Sequence, residues 1–213
     1  LEGGLDLLNA NARLTAEIAR VSGVVPQVAV VTGTCAGTNA INAAAADVCV
    51  MAEDAELFLN APFNAEDKVA NAGSAAFAAK AGVAAVTAAD AAKQAASIVA
   101  LLPANNLAGP ALFDFAAPSK ALDLVKYTAA DAIAALADEG STVELYAGYG
   151  KNIVTALATI NGSAVGILAT EKAALCHKCT AKAARFVRLC DAYSIPVVTV
   201  VNTEGCLLYT SPS

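Results

Sequence analysis

Apolar residues at Leu5, Leu8, Ala12, Ala16 and Ala19 recur at the three-to-four spacing that lines one helix face, and predict a helix over 5–21. A short β-branched run led by Pro26 then predicts a buried strand over 27–32. From there helical and extended patterns alternate: helix 38–46, strands 48–51 and 56–59, helix 74–81, a short strand 83–87 and helix 89–102. The stretch PANNLAGP at 103–110, with Pro118 beyond it, cannot continue a helix and is the best boundary between two blocks. The second block reads as helix 129–136, a turn at Asp138-Glu139-Gly140-Ser141, and strands 153–160 and 164–169 joined by Asn161-Gly162, a tight-hairpin dipeptide. A helix over 179–193 and a buried strand over 196–201 follow. This alternation predicts an α/β class. The two Pro-led strands, VPQVAVV and IPVVTVV, each follow a helix and suggest an internal repeat.

With 213 residues, 57% hydrophobic and 15% charged, the chain has material for a large core and none of the composition of a disordered one. Its apolar runs are cut by Asn, Asp, Lys and Gly before the roughly 20 residues a spanning helix needs, so no transmembrane segment is expected. Abundant alanine lets elements approach closely and suits an oligomer. A net charge of −6 repels phosphate backbones and weighs against nucleic-acid partners. Six cysteines without a signal-like start suggest reduced thiols and a cytoplasmic setting. The chain starts at Leu1, already within a helical pattern, which suggests that sequence precedes it. The tail CLLYTSPS at 206–213 resembles the translated read-through of a sequencing-library adapter and is expected to be non-native.

The candidate chemistry centres on Gly33-Thr34-Cys35-Ala36-Gly37, where a strand is expected to pass through a glycine-bearing turn directly into a small-residue helix. The first N–H groups of a helix lack internal partners, and its N-terminal dipole favours negative charge. A developing oxyanion suits that place. Read alone, the turn is first a tightly packed βα connection. Cys35 would be a nucleophile only if that helix terminus lowered its pKa. Asp54 and Glu56 could pair as carboxylates, though a solvated turn explains them better. Cys176-His177-Lys178-Cys179 has the spacing of a zinc or redox pair and holds the single histidine, but no second ligand pair stands at a suitable spacing. Lys178, Lys182, Arg185 and Arg188 recur at helical spacing and could meet phosphates or form a solvated face opposite Ala183, Phe186, Val187 and Cys190.

Four segments in order, PQVAVVTGTCAGTNAINAAAADVCVMAEDAELFLNAP, LLPANN, VELYAGYGKNIVTALATINGSAVGILA and AKAARFVRLCDAYSIPVVTVVNTEG, together resemble the carboxyltransferase subunit of biotin-dependent acyl-CoA carboxylases and decarboxylases. The decarboxylase type similar to methylmalonyl-CoA decarboxylase alpha chains is the nearest, over essentially all of 1–205. The resemblance implies a ClpP/crotonase-like α/β fold. Residues 1–118 would be the C-terminal part of an N-terminal domain and 119–205 the first part of a C-terminal one. It implies an enzyme that moves CO2 between a short-chain acyl-CoA and biotin on a carrier protein by oxyanion-stabilised enolate chemistry, this piece being inactive alone. The implied site residues are Gly37 and Thr38 as backbone oxyanion donors, with Ala36 beside them. Asn60, Ala61 and Pro62 would line the acyl pocket, and Gly205 would stand on the biotin side. The family commonly has glycine where Thr38 stands, and the partner donor of each oxyanion site falls outside 1–205. No metal is expected. Implied partners are a biotin carrier protein, biotin carboxylase or membrane decarboxylase subunits, and further copies of the chain sharing the active site, in the cytoplasm or peripheral to a membrane complex. The alternatives are a crotonase-type enoyl-CoA hydratase or isomerase, and a truncated fragment with only assembly capacity.

Overall fold

The computed structural model describes residues 4–61, 69, 71–118, 120–123 and 125–204. The first block begins with helix α1 (Gly4–Val21), strands β1 (Val28–Val31) and β2 (Thr34–Ala36), and helix α2 (Thr38–Ala45). It continues through β3 (Val48–Ala52), β4 (Glu56–Phe58), α3 (Ala75–Lys80), β5 (Val86–Ala88) and α4 (Ala91–Leu101). The second holds α5 (Ala129–Leu136), β6 (Val143–Leu145), β7 (Ile153–Ile160), β8 (Ser163–Thr170), α6 (His177–Ala192) and β9 (Val197–Val200).

Side chains start several helices where the sequence supplies a capping group. Ser74 accepts from the Phe77 N–H at 3.2 Å and Asp90 from the Lys93 N–H at 2.9 Å. Thr128 and Asp131 form a reciprocal capping box on α5.

The described residues form three sheets. β1, β3 and β5 lie parallel in the order β1-β3-β5, β2 pairs in parallel with β4, and β6-β7-β8-β9 form the third sheet. The hairpin β7–β8 turns at Asn161 and Gly162, both at positive φ (49° and 77°), as a tight turn between twisted strands requires. β3, in the middle of its sheet, is buried along its whole length.

The two Pro-led strands behave differently from expectation. β1 and β9 are each the edge of their sheet, and Val30, Val197 and Val201 stay 41%, 38% and 65% exposed. Neither is the buried strand its valine run suggests. The run of β-branched residues reports strand propensity, while burial depends on having a neighbour on both sides. Two three-residue strands, β2 and β6, fall where a turn and a loop were expected. The short strand predicted at 83–87 lies at Val86–Ala88, because Gly82 and Val83 complete the turn after α3.

One hydrophobic core crosses the 103–110 stretch. It joins Val48, Val50, Met51, Ile98 and Leu101 from the first block to Leu145, Tyr146, Phe186, Leu189 and Tyr193 from the second. The Tyr193 hydroxyl donates to Asp47 Oδ2 at 2.6 Å, a carboxylate oxygen that also accepts the Gln27 N–H at 2.8 Å. The α6 end is thereby tied to the entrances of β1 and β3. The connecting stretch contributes too: Phe113 N–H donates to Gly162 O at 2.8 Å and Ala164 N–H to Ala111 O at 2.9 Å.

Candidate oxyanion site

The site is built by the pair β2–β4, whose register sets Thr34 opposite Glu56, Cys35 opposite Leu57 and Ala36 opposite Phe58. Two residues past the last pair come Thr38 on one strand's continuation and Asn60 on the other's. The structure thus brings Ala36, Gly37, Thr38, Asn60 and Ala61 to one end of this ribbon. Pro62 and Gly205 lie outside the described residues.

The chain does not pass from β1 straight into α2. β2 intervenes, and Gly37 makes the reversal with φ 63° and ψ −135°, a conformation natural to glycine and costly for other residues. Gly37 is also the N-cap of α2 and offers no side-chain acceptor to the first turn. Its own N–H is engaged, donating to Phe58 O at 3.2 Å, and its carbonyl accepts from Ala40 and Ile41. Among the described residues the N–H groups of Thr38 and Asn39 have no acceptor, as the first amides of an uncapped helix should not. A Cβ built on Gly37 meets no atom within 4 Å, so a ligand can approach the main chain there. Ala36, Thr38 and Asn39 are solvent-exposed. The geometry therefore offers two donors without an acceptor among the described residues, at the positive end of α2, of the type that stabilises an oxyanion. Asn39 was missed from sequence, because the reversal that frees its N–H shows only once β2 is seen.

Other candidates resolve by placement. Cys35 sits on β2, not at the helix terminus, and burial raises its pKa, the opposite of an activated nucleophile. Glu56 accepts from Thr34 Oγ1 at 3.1 Å across the β2–β4 pair, and Asp54 stands in the exposed turn before it. The basic row on α6 is not one solvated face. Lys182 is 2% exposed and its pKa is lowered by loss of water, against the opposing pull of Glu144. Arg185 Nη1 donates to Gly82 O at 2.9 Å while its guanidinium lies 4.8 Å from the Tyr146 ring centre. Lys178 and Arg188 remain exposed, and so does His177. Cys176 and Cys179 face one another at the start of α6, with sulfurs 2.9 Å apart. Among the described residues no group of three His, Cys, Asp or Glu side chains could hold a metal, and no helix is long and apolar enough to cross a membrane.

The profile of the carboxyl transferase domain matches residues 1–211. The methylmalonyl-CoA carboxyltransferase 12S subunit of Propionibacterium freudenreichii subsp. shermanii is 32% identical over 97% of this chain and 44% of its own length. The methylmalonyl-CoA decarboxylase subunit alpha of Veillonella parvula is 29% identical over 97% of this chain and 46% of its own. The chain thus spans somewhat less than half the length of these relatives. Among solved structures, the transcarboxylase 12S hexamer with hydrolysed methylmalonyl-coenzyme A bound superposes with a TM-score of 0.84 at 31% identity, over 97% of this chain and 46% of that one. A single-chain, multi-domain long-chain acyl-CoA carboxylase gives 0.78 at 26% identity, over 92% of this chain and 22% of that one.

Proposed function

This chain belongs to the carboxyl transferase domain family, and from that premise we propose that it forms part of a biotin-dependent carboxyltransferase moving CO2 between a short-chain acyl-CoA and biotin on a carrier protein. Its fold is the crotonase-like α/β fold of the matching structures. In this reading residues 1–118 close the acyl-CoA-binding domain and 119–205 open the biotin-side domain. The observation that carries the reading is the pair of N–H groups at Thr38 and Asn39 that have no acceptor among the described residues, beside the open face of Gly37.

The thioester oxygen of the acyl-CoA sits at the start of α2 and accepts from Thr38, with Gly37 setting the direction of that amide. When the carboxylate of the acyl group leaves as CO2, the electron pair of the broken C–C bond moves onto the thioester carbonyl, giving an enolate. Its oxygen then bears the charge that the Thr38 N–H and the α2 dipole stabilise, and the α-carbon takes up the proton that the ureido N–H of biotin would release on accepting the CO2. The reverse sequence carboxylates. Ala36, Asn60 and Ala61 flank the acyl group. Biotin, on its carrier, supplies the CO2 donor or acceptor. On the biotin side, the loop after β9 is pinned by Asn202 N–H to Thr170 Oγ1 at 2.7 Å and by Thr203 Oγ1 to Ala173 O at 2.9 Å, with Gly205 following. The proposed assembly is an oligomer with the active site between protomers, working with a biotin carrier and with biotin carboxylase or membrane decarboxylase subunits, in the cytoplasm or at a membrane complex.

Thr38→Pro tests the donor without breaking the fold. Proline is favoured at the first helical position but has no N–H. In the full-length enzyme, carboxyl exchange between methylmalonyl-CoA and biotin should fall about 10²–10³-fold in kcat, while Thr38→Ala, which keeps the amide, retains activity. Equal activity of the two variants would remove Thr38 as the donor. Absence of carboxyl exchange in the full-length wild type, with methylmalonyl-CoA and malonyl-CoA alike, would remove the whole reading.

A further inference from the structure

The first turn of α6 carries a chemistry of its own. Cys176 is the N-cap of this 16-residue helix and is half-buried, whereas Cys179, one turn on, is fully buried beside Ile153 and Leu168. One sulfur is reachable from solvent, the other is held behind it, and they are 2.9 Å apart. This is the arrangement in which an outer sulfur meets an external partner and an inner sulfur resolves the product.

The surroundings favour the outer thiolate. The Cys179 thiol, and after it the backbone amides of the turn, lower the Cys176 pKa, although none of those amides makes a close cap bond. Elsewhere burial works the other way, raising Cys49 to about 11 and Cys190 to about 12. A recess of about 460 Å³ opens onto the pair and is lined by Lys80, Tyr149, Lys151 and Lys178 as well as the two cysteines. Lys178 Nζ lies 5.9 Å from the Tyr149 ring centre. Three lysines lining the recess onto which the outer sulfur opens suit an anionic reactant.

We propose that Cys176 and Cys179 form a reversible dithiol–disulfide pair that exchanges with small anionic disulfides of the glutathione class in this lysine-lined recess. The Cys176 thiolate attacks one sulfur of the external disulfide, whose S–S bond breaks and releases one thiolate. The Cys179 thiol then gives up its proton, and its sulfur attacks the Cys176 sulfur of the mixed disulfide, releasing the second external thiol. Two protein thiols are oxidised and one external disulfide is reduced to two thiols, with no other oxidant required. The inner side of the turn has no slack, because a Cβ at Gly150 would stand 2.8 Å from Lys178 O and 3.1 Å from Cys179 Cα. The adjustment to the S–S bond falls on Cys176, on the open side. The pair lies on α6, outside the β2–β4 ribbon, and does not depend on the acyl-CoA reading.

The test equilibrates the purified full chain with glutathione and glutathione disulfide at defined ratios, quenches with acid and iodoacetamide, and digests with trypsin. Cleavage after Lys178 separates the cysteines, so the oxidised pair is recovered as peptides 173–178 and 179–182 joined by a disulfide. A tenfold rise in reduced glutathione at fixed glutathione disulfide should lower the joined-to-separate ratio about 100-fold, the square dependence of a two-thiol exchange. Cys179→Ser should leave Cys176 carrying glutathione, and Cys176→Ser should leave Cys179 unmodified. Separate alkylation of both peptides across the whole series overturns the proposal. So does equal glutathione uptake by the two single variants.

Discussion

Gly37 holds φ 63° and ψ −135° with open space where a side chain would project, so replacing it acts through the backbone and not through a clash. Gly37→Ala should cost about 1–3 kcal/mol in urea unfolding. In the full-length enzyme it should also turn the Thr38 amide and lower kcat more than it raises KM, measured by steady-state carboxyl exchange. Asp138 shows a different kind of residue-scale effect. Its buried carboxylate accepts from Thr159 Oγ1 at 2.6 Å, Gly162 N–H at 2.8 Å and Asn161 N–H at 3.0 Å. Burial alone would raise its pKa, and the three donors together outweigh that and lower it. The folded chain therefore ionises Asp138 at lower pH than the unfolded chain does. Its contribution is complete above the ordinary carboxylate range and is lost as pH falls through the folded value. Asp138→Asn should cost about 1.5–3 kcal/mol at neutral pH, and the gap to wild type should narrow in urea titrations at acid pH. Gly37 was legible as a glycine in a βα connection. Asp138 was legible only as a turn residue, because its partners lie 21 to 24 positions along the chain.

At the scale of elements, period and punctuation located α5 and β7 to the residue and most other elements within two or three. They missed β2, where the glycines on either side read as a turn, and β6, a short strand just beyond the Gly140 turn, although β4 and β5 are as short and were found. The same turn reading pointed to Thr38 and left out Asn39, whose place in the first turn of α2 follows the reversal that β2 imposes. α6 shows the converse. Its apolar residues predicted one buried face, yet Lys182 is buried and Arg185 is drawn onto Gly82 and Tyr146. The aliphatic stems of these side chains let a basic row pack against a neighbour, and the Arg185 head finds partners in Gly82 O and the Tyr146 ring. Where α6 crosses β8, the contact depends on Gly166. A Cβ there would stand 2.5 Å from Cys190 Sγ and 3.1 Å from Phe186 Cζ. Gly166→Ala should force the helix off the sheet and cost about 1–3 kcal/mol, seen as a lower urea midpoint with an unchanged slope.

Over the whole molecule, the first core runs from β3 and α4 to α6, so the two blocks should unfold together despite the proline-rich stretch between them. α1 stands apart from that core. It has no buried residue, Leu5 and Leu8 are 77% and 63% exposed, and Thr15 Oγ1 donating to Asn42 Oδ1 at 2.8 Å is a bond tying it to α2. Amide hydrogen exchange of this chain should therefore run fast in α1 and slow, near the global unfolding limit, in Val48–Met51, which are fully buried. Comparable protection in both would show that α1 is held by contacts beyond those described. The α/β class, the hairpin at Asn161-Gly162, the alternation of elements and the glycine at the candidate site were determined by the sequence itself, because they depend on residues close together along the chain. Which strands are edges, where Lys182 and Arg185 turn, the three donors on Asp138, and the engagement of the Gly37 N–H by Phe58 were decided only by the tertiary structure. Each depends on a partner brought near by the fold from a distant part of the chain, and local pattern carries no record of that partner.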